Sequence, residues 1–564
     1  MFVSILSTLF LGSLIGSVVS FSVYFFLLLI KKFDYFIKNI NSETFFNGES
    51  NSLIFLLFVI VVPSLIGLMV GYLRTFTKGK RWHGPPDVIL STHTEHNPLN
   101  IKTGFLTSFA AILSICAGGS VGQYGPLVHF GATLGAEIKK YFKKTANTQI
   151  FLGAGVAAAI SSGFGAPIAG LVFAREVILR HQSLASFGPI LVSSLVSYFI
   201  TKLFFGFTPL LPSTIGGINA IQEFPALVFT GLICGLIAVI YMKGLTHPKF
   251  FPNISSIHPL LQPALAGLIC GMISTFMPEV NGLGTDTIRS MLTGDIVIKM
   301  AIYMLLLKLF LTVTCLRLGL IGGVFAPALF LGACTGVILG TGFNFFLPET
   351  NIELFALASM AAVGSCVIGG PLANMMIILE LTSDYQATLA AGISIVFASL
   401  ISTRFIGQSV FDKVLLNRKI DLNIGDENLL LQTIKIKEIV QKKYCILKDT
   451  LSVNQALQLL AKKQVSDGYV VNDKGHLINK FELPQLLIIG SKYKKIKSLK
   501  KQNFLYLNSD ENVLDALEIC KDFVGESIPV ISEQKKLIGI ITESDLFKAF
   551  LNASKHQREI EHQN

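Results

Sequence analysis

Gly122-Gln-Tyr-Gly-Pro126 and Gly323-Val-Phe-Ala-Pro327 stand 201 positions apart (122 to 323) and read as two versions of one segment. Gly131, Ala132 and Gly135 keep that offset as Gly332, Ala333 and Gly336. A second block follows at an offset of 204 (151 to 355) and links residues 151–176 to 355–380. Within it Phe151/Phe355, Ala154/Ala358, Ala157/Ala361, Ala158/Ala362, Ser161/Ser365, Gly165/Gly369, Pro167/Pro371, Ala169/Ala373 and Glu176/Glu380 coincide. Chance likeness between apolar, Ala- and Gly-rich stretches does not keep two blocks in order at nearly one offset. This part of the chain is duplicated.

The surroundings say in what solvent the duplicate lives. Of 564 residues, 51% are hydrophobic and 14% charged, against about 25% charged in a soluble domain. So little charge cannot coat the roughly three to four soluble domains that the length alone would suggest. A mean hydropathy of +0.62 fits a polytopic membrane protein. Apolar stretches run from residue 2 to about 406, and a helix needs ~20 such residues to cross a bilayer. The first, residues 2–30, is too long for a signal-peptide core and reads as a first transmembrane helix. The net charge of +11 comes largely from clusters beside apolar runs, such as Lys31 with Lys32, residues 78–81 and residues 139–144. Loops flanking membrane spans look like this, whereas a nucleic-acid face pairs basic residues with exposed aromatics; no nucleic-acid partner is expected. The basic run at 492–501 reads as a solvated linker or a contact to acidic headgroups. Eight scattered cysteines without a C-x-x-C pair read as small buried hydrophobes, and neither zinc nor a disulfide framework is expected.

Residues 115–135 and 319–340 are cut by Gly and Pro and read as broken or re-entrant helices, tolerated where protein or a water-filled cavity surrounds them. Duplicated halves with such interruptions at equivalent positions mark transporter-type folds. Each Gly-x-x-x-Pro block would start a half-helix, Gly permitting close backbone approach and Pro suiting the first turn. Helix N-termini carry unpaired N–H groups and partial positive charge. Two of them converging at mid-membrane favour a small anion.

After Arg418 charge rises, Gly falls and apolar runs shrink to strand length. A second duplication, offset by 60 (453 to 513), matches Val453, Ala456, Leu457, Leu477, Ile478 and Leu486 to Val513, Ala516, Leu517, Leu537, Ile538 and Leu546. Each unit reads helix, strand, polar turn, strand, helix. In the second copy these fall at 511–522, 528–532, 533–536, 537–542 and 544–551. The expected boundaries are a membrane domain at 1–415, a linker at 416–433, α/β units at 434–490 and 497–553, and a polar tail at 554–564.

Five motifs in order, His83-Gly-Pro-Pro-Asp87, Gly118-Gly-Ser-Val-Gly-Gln-Tyr-Gly-Pro126, Ala166-Pro-Ile-Ala-Gly170, Gly322-Gly-Val-Phe-Ala-Pro327 and Glu380-Leu-Thr-Ser-Asp-Tyr385, resemble the CLC family of chloride channels and proton-coupled chloride transporters, with a C-terminal pair of CBS domains. Lys102 also stands where that family has a lysine before the second motif. The resemblance implies an all-α polytopic membrane domain with an inverted internal repeat and broken helices, followed by a soluble α/β CBS pair. It further implies a homodimer in membrane lipid, each subunit enclosing its own anion path. The expected location is the plasma (cell inner) membrane, with the CBS tail in the cytoplasm.

In that family half-helix N–H groups, a serine hydroxyl and a tyrosine hydroxyl hold the anion. The resemblance carries this role to His83 and Gly84 of the first motif, to Gly122, Tyr124 and Gly125 of the second, to Val324 and Phe325, and to Phe411. Two of these depart from the pattern: His83 replaces the serine, and Phe411 lacks the tyrosine hydroxyl. The gate departs further. Where the family motif carries a glutamate that competes with the anion and moves protons, this chain has Tyr124, preceded by Gln123 in place of a basic residue. Tyrosine titrates near ~10 in solution and cannot imitate an anion while neutral. The inner proton-relay glutamate corresponds to Val177. The expectation is passive, proton-independent chloride movement, as in a voltage-gated chloride channel, with Tyr124 as gate, plug or packed ring. The rivals are a chloride/proton antiporter with an atypical path through His83 or Tyr124, and a poorly conducting sensor. Glu176 and Glu380, being repeat partners, read as structural carboxylates, and Arg175 as facing the aqueous end of its helix.

In the tail, Gly539-Ile-Ile-Thr-Glu-Ser-Asp545 resembles the CBS strand-to-helix signature, which implies adenine-nucleotide contacts through Thr542 and Asp545. The first copy has Glu482 and Gln485 there, so at most one such site is expected. Chloride is the expected substrate, and no cofactor is required. No nucleophile–base pair, metal cluster or P-loop is evident in the sequence, so neither an enzyme nor an ATP-driven pump is expected.

Overall fold

The computed structural model describes residues 2–39, 53–94, 99–142, 147–180, 184–206, 220–247, 257–346, 350–472, 474–490, 495–499 and 503–563. Half of the basic run at 492–501 lies outside them. The chain forms two compact units, residues 1–419 and 420–563.

The first unit is helical. Its first half comprises α1 (Phe2–Asn39), α2 (Leu53–Arg74), α3 (Pro85–His93), α4 (Ile101–Cys116), α5 (Tyr124–Tyr141), α6 (Thr148–Phe164), α7 (Pro167–Phe173) and α8 (Leu184–Phe205). The second comprises α9 (Ala220–Thr246), α10 (Gln262–Ser274), α11 (Thr285–Leu292), α12 (Ile298–Arg317), α13 (Phe325–Asn344), α14 (Ile352–Ile368), α15 (Pro371–Thr382) and α16 (Tyr385–Phe405), and α17 (Val410–Leu416) closes the unit. Each helix thus has its repeat partner eight places on. The packing repeats with them: α1 against α8, α6 against α8 and α5 against α6 recur as α9 against α16, α14 against α16 and α13 against α14. Equivalent helices also meet across the halves, α2 with α10, α5 with α13 and α7 with α15, as a two-fold axis between the halves requires.

The α2–α10 crossing exposes a third block of the membrane repeat. Pro63, Leu65, Gly67, Leu68 and Gly71 recur as Pro263, Leu265, Gly267, Leu268 and Gly271, offset by 200 (63 to 263). A Cβ on Gly67 would run into the Pro263 carbonyl, and one on Gly267 into the Pro63 carbonyl. Small residues allow this backbone approach, on which helix association in lipid depends. Among the described residues seven helical stretches are long and apolar enough to cross a membrane, and five shorter apolar helices accompany them. The chain is an integral, multi-pass membrane protein. Both segments expected to be broken are interrupted, at 117–123 and 318–324, immediately before α5 and α13.

The second unit holds two three-stranded sheets of one topology. In the first, β1 (Cys445–Lys448) pairs parallel with β2 (Asp467–Val471), which pairs antiparallel with β3 (Leu477–Glu482). In the second, β4 (Leu507–Asn508), β5 (Ile528–Ile531) and β6 (Leu537–Ile541) repeat that order. The leading strands β1 and β4 were not anticipated; two to four residues carry too little alternation to read. Half of the expected linker is also structured. The helix α18 (Asp426–Thr433) buries Leu430 and Leu431 with Ile436 in the core of the second sheet's unit, beside Leu507 and Val513. The second unit therefore draws its core from both ends of the tail. The residues expected as a polar tail continue the last helix of the unit, Glu543–Gln563, through Gln563.

Candidate functional site

Gly122 N–H donates to the Gly323 carbonyl at 2.8 Å, and Gly323 N–H returns the bond to Gly122 at 2.5 Å. The two motifs therefore touch at their equivalent residues. The approach excludes side chains, since a Cβ on Gly125 would stand 2.8 Å from Gly323 Cα. Gln123 and Val324 are the N-caps, and the first helical bonds are Leu127 N–H to Gln123 O (3.1 Å) and Ala328 N–H to Val324 O (3.2 Å). The amides of residues 124, 125, 325 and 326 precede those bonds, which puts two donor-rich, positive helix ends side by side. The Tyr241 hydroxyl donates to the Val324 carbonyl at 3.1 Å and fixes that cap.

Tyr124 is 5% exposed. Its ring stacks on Phe164 (centroids 3.6 Å, planes 9° apart) and meets the edge of Phe325 at 6.1 Å. Phe164 and Phe325 close the triangle at 5.8 Å. Gly163 lies beside the stack, where a Cβ would make an ordinary contact with Tyr124 Cε1 at 3.4 Å. Tyr124 and Phe325 are marked by the repeat, whereas Phe164 carries no such signal in the sequence.

The first motif is built differently. Gly84 caps α3, but Pro85 and Pro86 have no N–H to offer. The Gly84 amide itself donates to Asp87 Oδ2 at 3.0 Å, so the donor expected for an anion is committed within the motif. Asp87 also takes Arg81 at 2.6 Å and Arg418 at 2.9 Å. The His83 Nε2 lies 3.2 Å from the Lys78 carbonyl, and its ring is 6.0 Å from that of His129. His129 is fully buried, with neither ring nitrogen hydrogen-bonded among the described residues. Phe411, 6% exposed, sits on α17, which packs against α3. The Trp82 indole N–H donates to Gly319 O at 2.9 Å and ties this loop to the approach to α13.

A family model described as voltage gated chloride channel matches residues 62–403, well over half of the chain. The chain belongs to that family. A CBS domain model matches residues 496–552, and the first sheet repeats the topology of that unit. The voltage-gated ClC-type chloride channel ClcB of Escherichia coli O17:K52:H18 is 28% identical over 361 residues, covering 62% of this chain and 85% of its own. Among solved structures, a slow cyanobacterial chloride/proton antiporter superposes with a TM-score of 0.67 at 20% identity, over 73% of this chain and 97% of its own. A eukaryotic CLC transporter does so at 0.63 and 16%, over 96% of this chain and 98% of its own. These two support the fold.

Within this family member the intramembrane charges have defined work. Glu176 accepts from the amides of Leu372 (3.1 Å) and Ala373 (2.7 Å) at the start of α15, and Glu380 accepts from Ile168 (2.9 Å) and Ala169 (2.7 Å) at the start of α7. Each carboxylate caps its partner's helix across the two-fold axis, the structural role read from the repeat. Arg175 is half-buried, with its guanidinium 5.3 Å over the exposed Phe187 ring and its Nε unbonded among the described residues. Val177 is buried, and a Cβ on Gly370 would come within 2.7 Å of it. Lys308 is a further intramembrane charge, outside the expected site residues. It is fully buried on α12, donates to the carbonyls of Val280 and Gly282 at 2.9 Å each, and covers the Phe330 ring at 4.8 Å. A lone lysine amid Leu-rich sequence was the available signal.

In the tail, Thr542 and Asp545 form a helix cap. The Thr542 hydroxyl and amide donate to Asp545 at 2.7 and 3.0 Å, and the Gln441 amide donates to both carboxylate oxygens at 2.8 Å. Burial alone would raise the Asp545 pKa, but these donors and Lys548 outweigh it and hold the carboxyl below its usual value. Glu482 and Gln485 make the corresponding cap in the first copy.

Proposed function

We propose that this chain carries chloride passively across the plasma membrane, through one path in each subunit of a homodimer, with the CBS tail in the cytoplasm and without proton coupling. The observation that carries the reading is the side chain at the family's gating-glutamate position. It is the Tyr124 ring, stacked on Phe164 at 3.6 Å, a group that neither ionises near neutral pH nor mimics an anion. Residues 118–126 and 322–327 contain no carboxylate, and Val177 occupies the inner relay position. The paired positive ends of α5 and α13 supply the anion's attraction, and the names borne by relatives point to chloride.

The test is paired chloride and pH recording from proteoliposomes under a chloride gradient, with potassium and valinomycin clamping the potential. Chloride efflux without proton movement is expected; uphill proton movement driven by chloride would overturn the reading. The second reading is an antiporter whose proton passes through the imidazoles. The observation favouring it is His83 6.0 Å from the unbonded, buried His129.

A further inference from the structure

Cys270 on α10 and Cys315 on α12 are 45 positions apart (270 to 315), too far for any spacing rule to connect them. Their sulfurs lie 3.1 Å apart, and both side chains are buried. The Ser120 backbone amide faces both sulfurs, and the Ser120 hydroxyl is 3.1 Å from that of Thr312 on α12. Ser120 is two residues before the Gly122 bridge. Cys270 also lines a cavity of about 970 Å³ whose wall includes Gln123, Ser162 and Asn281. A small reagent in that cavity thus has Cys270 in its wall, with Cys315 directly behind.

We propose that Cys270 and Cys315 form a reversible dithiol/disulfide site, and that its oxidation restrains the start of α5. The co-reactant is a small disulfide or diazene. With a diazene, the two S–H bonds break and one S–S bond forms. The two hydrogens and two electrons pass to the N=N group, which becomes a hydrazine. A dithiol reverses the step by exchange through a mixed disulfide. Closing the gap from 3.1 Å to a covalent bond of about 2.05 Å ties α10 covalently to α12. It also replaces two thiols by a disulfide beside the Ser120 amide, two residues before the Gly122 bridge at the half-helix start. The consequence for transport rests on the chloride-path reading above; the chemistry of the pair does not.

The full chain in proteoliposomes is treated with diamide, then alkylated after denaturation and mapped by mass spectrometry. Two of the eight thiols should become protected and return as one Cys270–Cys315 linked peptide pair. Dithiothreitol should abolish the pair, and Cys270→Ser or Cys315→Ser should prevent it. Eight alkylatable thiols after treatment, or a cross-link involving Cys116 instead, would overturn the site. In the same vesicles chloride efflux should fall several-fold on oxidation and recover on reduction, with both serine variants insensitive. A mapped disulfide with unchanged efflux would reject the restraint. Absence of efflux before treatment would count against the chloride path alone, since the peptide map is read independently.

Discussion

Tyr124 and the reciprocal glutamates carry opposite burdens in the membrane unit. The Tyr124 ring fills space between Phe164 and Phe325, so its hydroxyl and its ring can be separated by substitution. Tyr124→Phe keeps the stack and should leave chloride flux within about twofold and stability unchanged. Tyr124→Ala opens the stack, should raise flux, and should destabilise the protein by about 3 kcal/mol, the scale of a buried aromatic truncation. Flux and thermal unfolding in detergent read both; a large loss with Phe would assign the hydroxyl a direct role. For Glu176 the work is hydrogen bonding. Glu176→Ala strands the Leu372 and Ala373 amides and should cost about 2 kcal/mol. Glu380→Ala should match it, because the two sites are equivalent. Unequal losses in thermal unfolding would contradict the two-fold account.

Among the elements, the half-helices were legible because Gly and Pro punctuate them twice at one offset, and the glutamate caps because their partners repeat. The α2–α10 crossing was not read, although Pro63 to Gly71 and Pro263 to Gly271 match, because leucines and glycines in apolar runs look like background until backbone contact shows their use. The first motif was half legible: its place beside α5 was expected, but the commitment of the Gly84 amide to Asp87 depends on Arg81 and Arg418 converging from distant parts of the chain. The tail's nucleotide signature was read from Thr542 and Asp545, whereas the competitor at the same carboxylate, Gln441, lies a hundred residues earlier in sequence. If an adenine nucleotide docks its ribose at Asp545, it must displace that amide. Gln441→Ala should then tighten ATP binding to the full-length protein several-fold by isothermal titration, and weaker or unchanged binding would exclude Asp545 as the ribose contact. Acid tests the same cap. A folded-state pKa held down by Thr542 and Gln441 contributes stability above the unfolded carboxyl's value and loses it as pH falls through the folded one. Exchange of the amides that open the last helix should therefore accelerate below about pH 4, and less so in Asp545→Asn.

At the scale of the whole molecule, the two units have separate cores. The membrane unit is organised by an internal two-fold axis whose contacts, Gly122 with Gly323, Glu176 with α15 and Glu380 with α7, all lie within residues 1–419. The second unit buries its own residues, from Leu430 and Leu431 of α18 to Ala553 of the last helix, around its two sheets. The cyanobacterial antiporter fold accounts for 97% of its own chain on 73% of this one, so a CLC membrane fold closes without a counterpart to the rest. A chain ended after Lys419 should accordingly remain folded in detergent, elute as a single species and retain chloride flux in proteoliposomes. Cutting further back, before α17, should not be tolerated. That helix brings Asp412 to Arg180 at 2.7 Å, and just beyond it Arg418 meets Asp87; their removal would leave Arg180 unpaired and take one of two guanidinium groups from the carboxylate that caps α3. Aggregation of the chain ended after Lys419 would mean that the membrane fold draws on the tail after all, and retained flux in the shorter chain would remove α17 from the anion path.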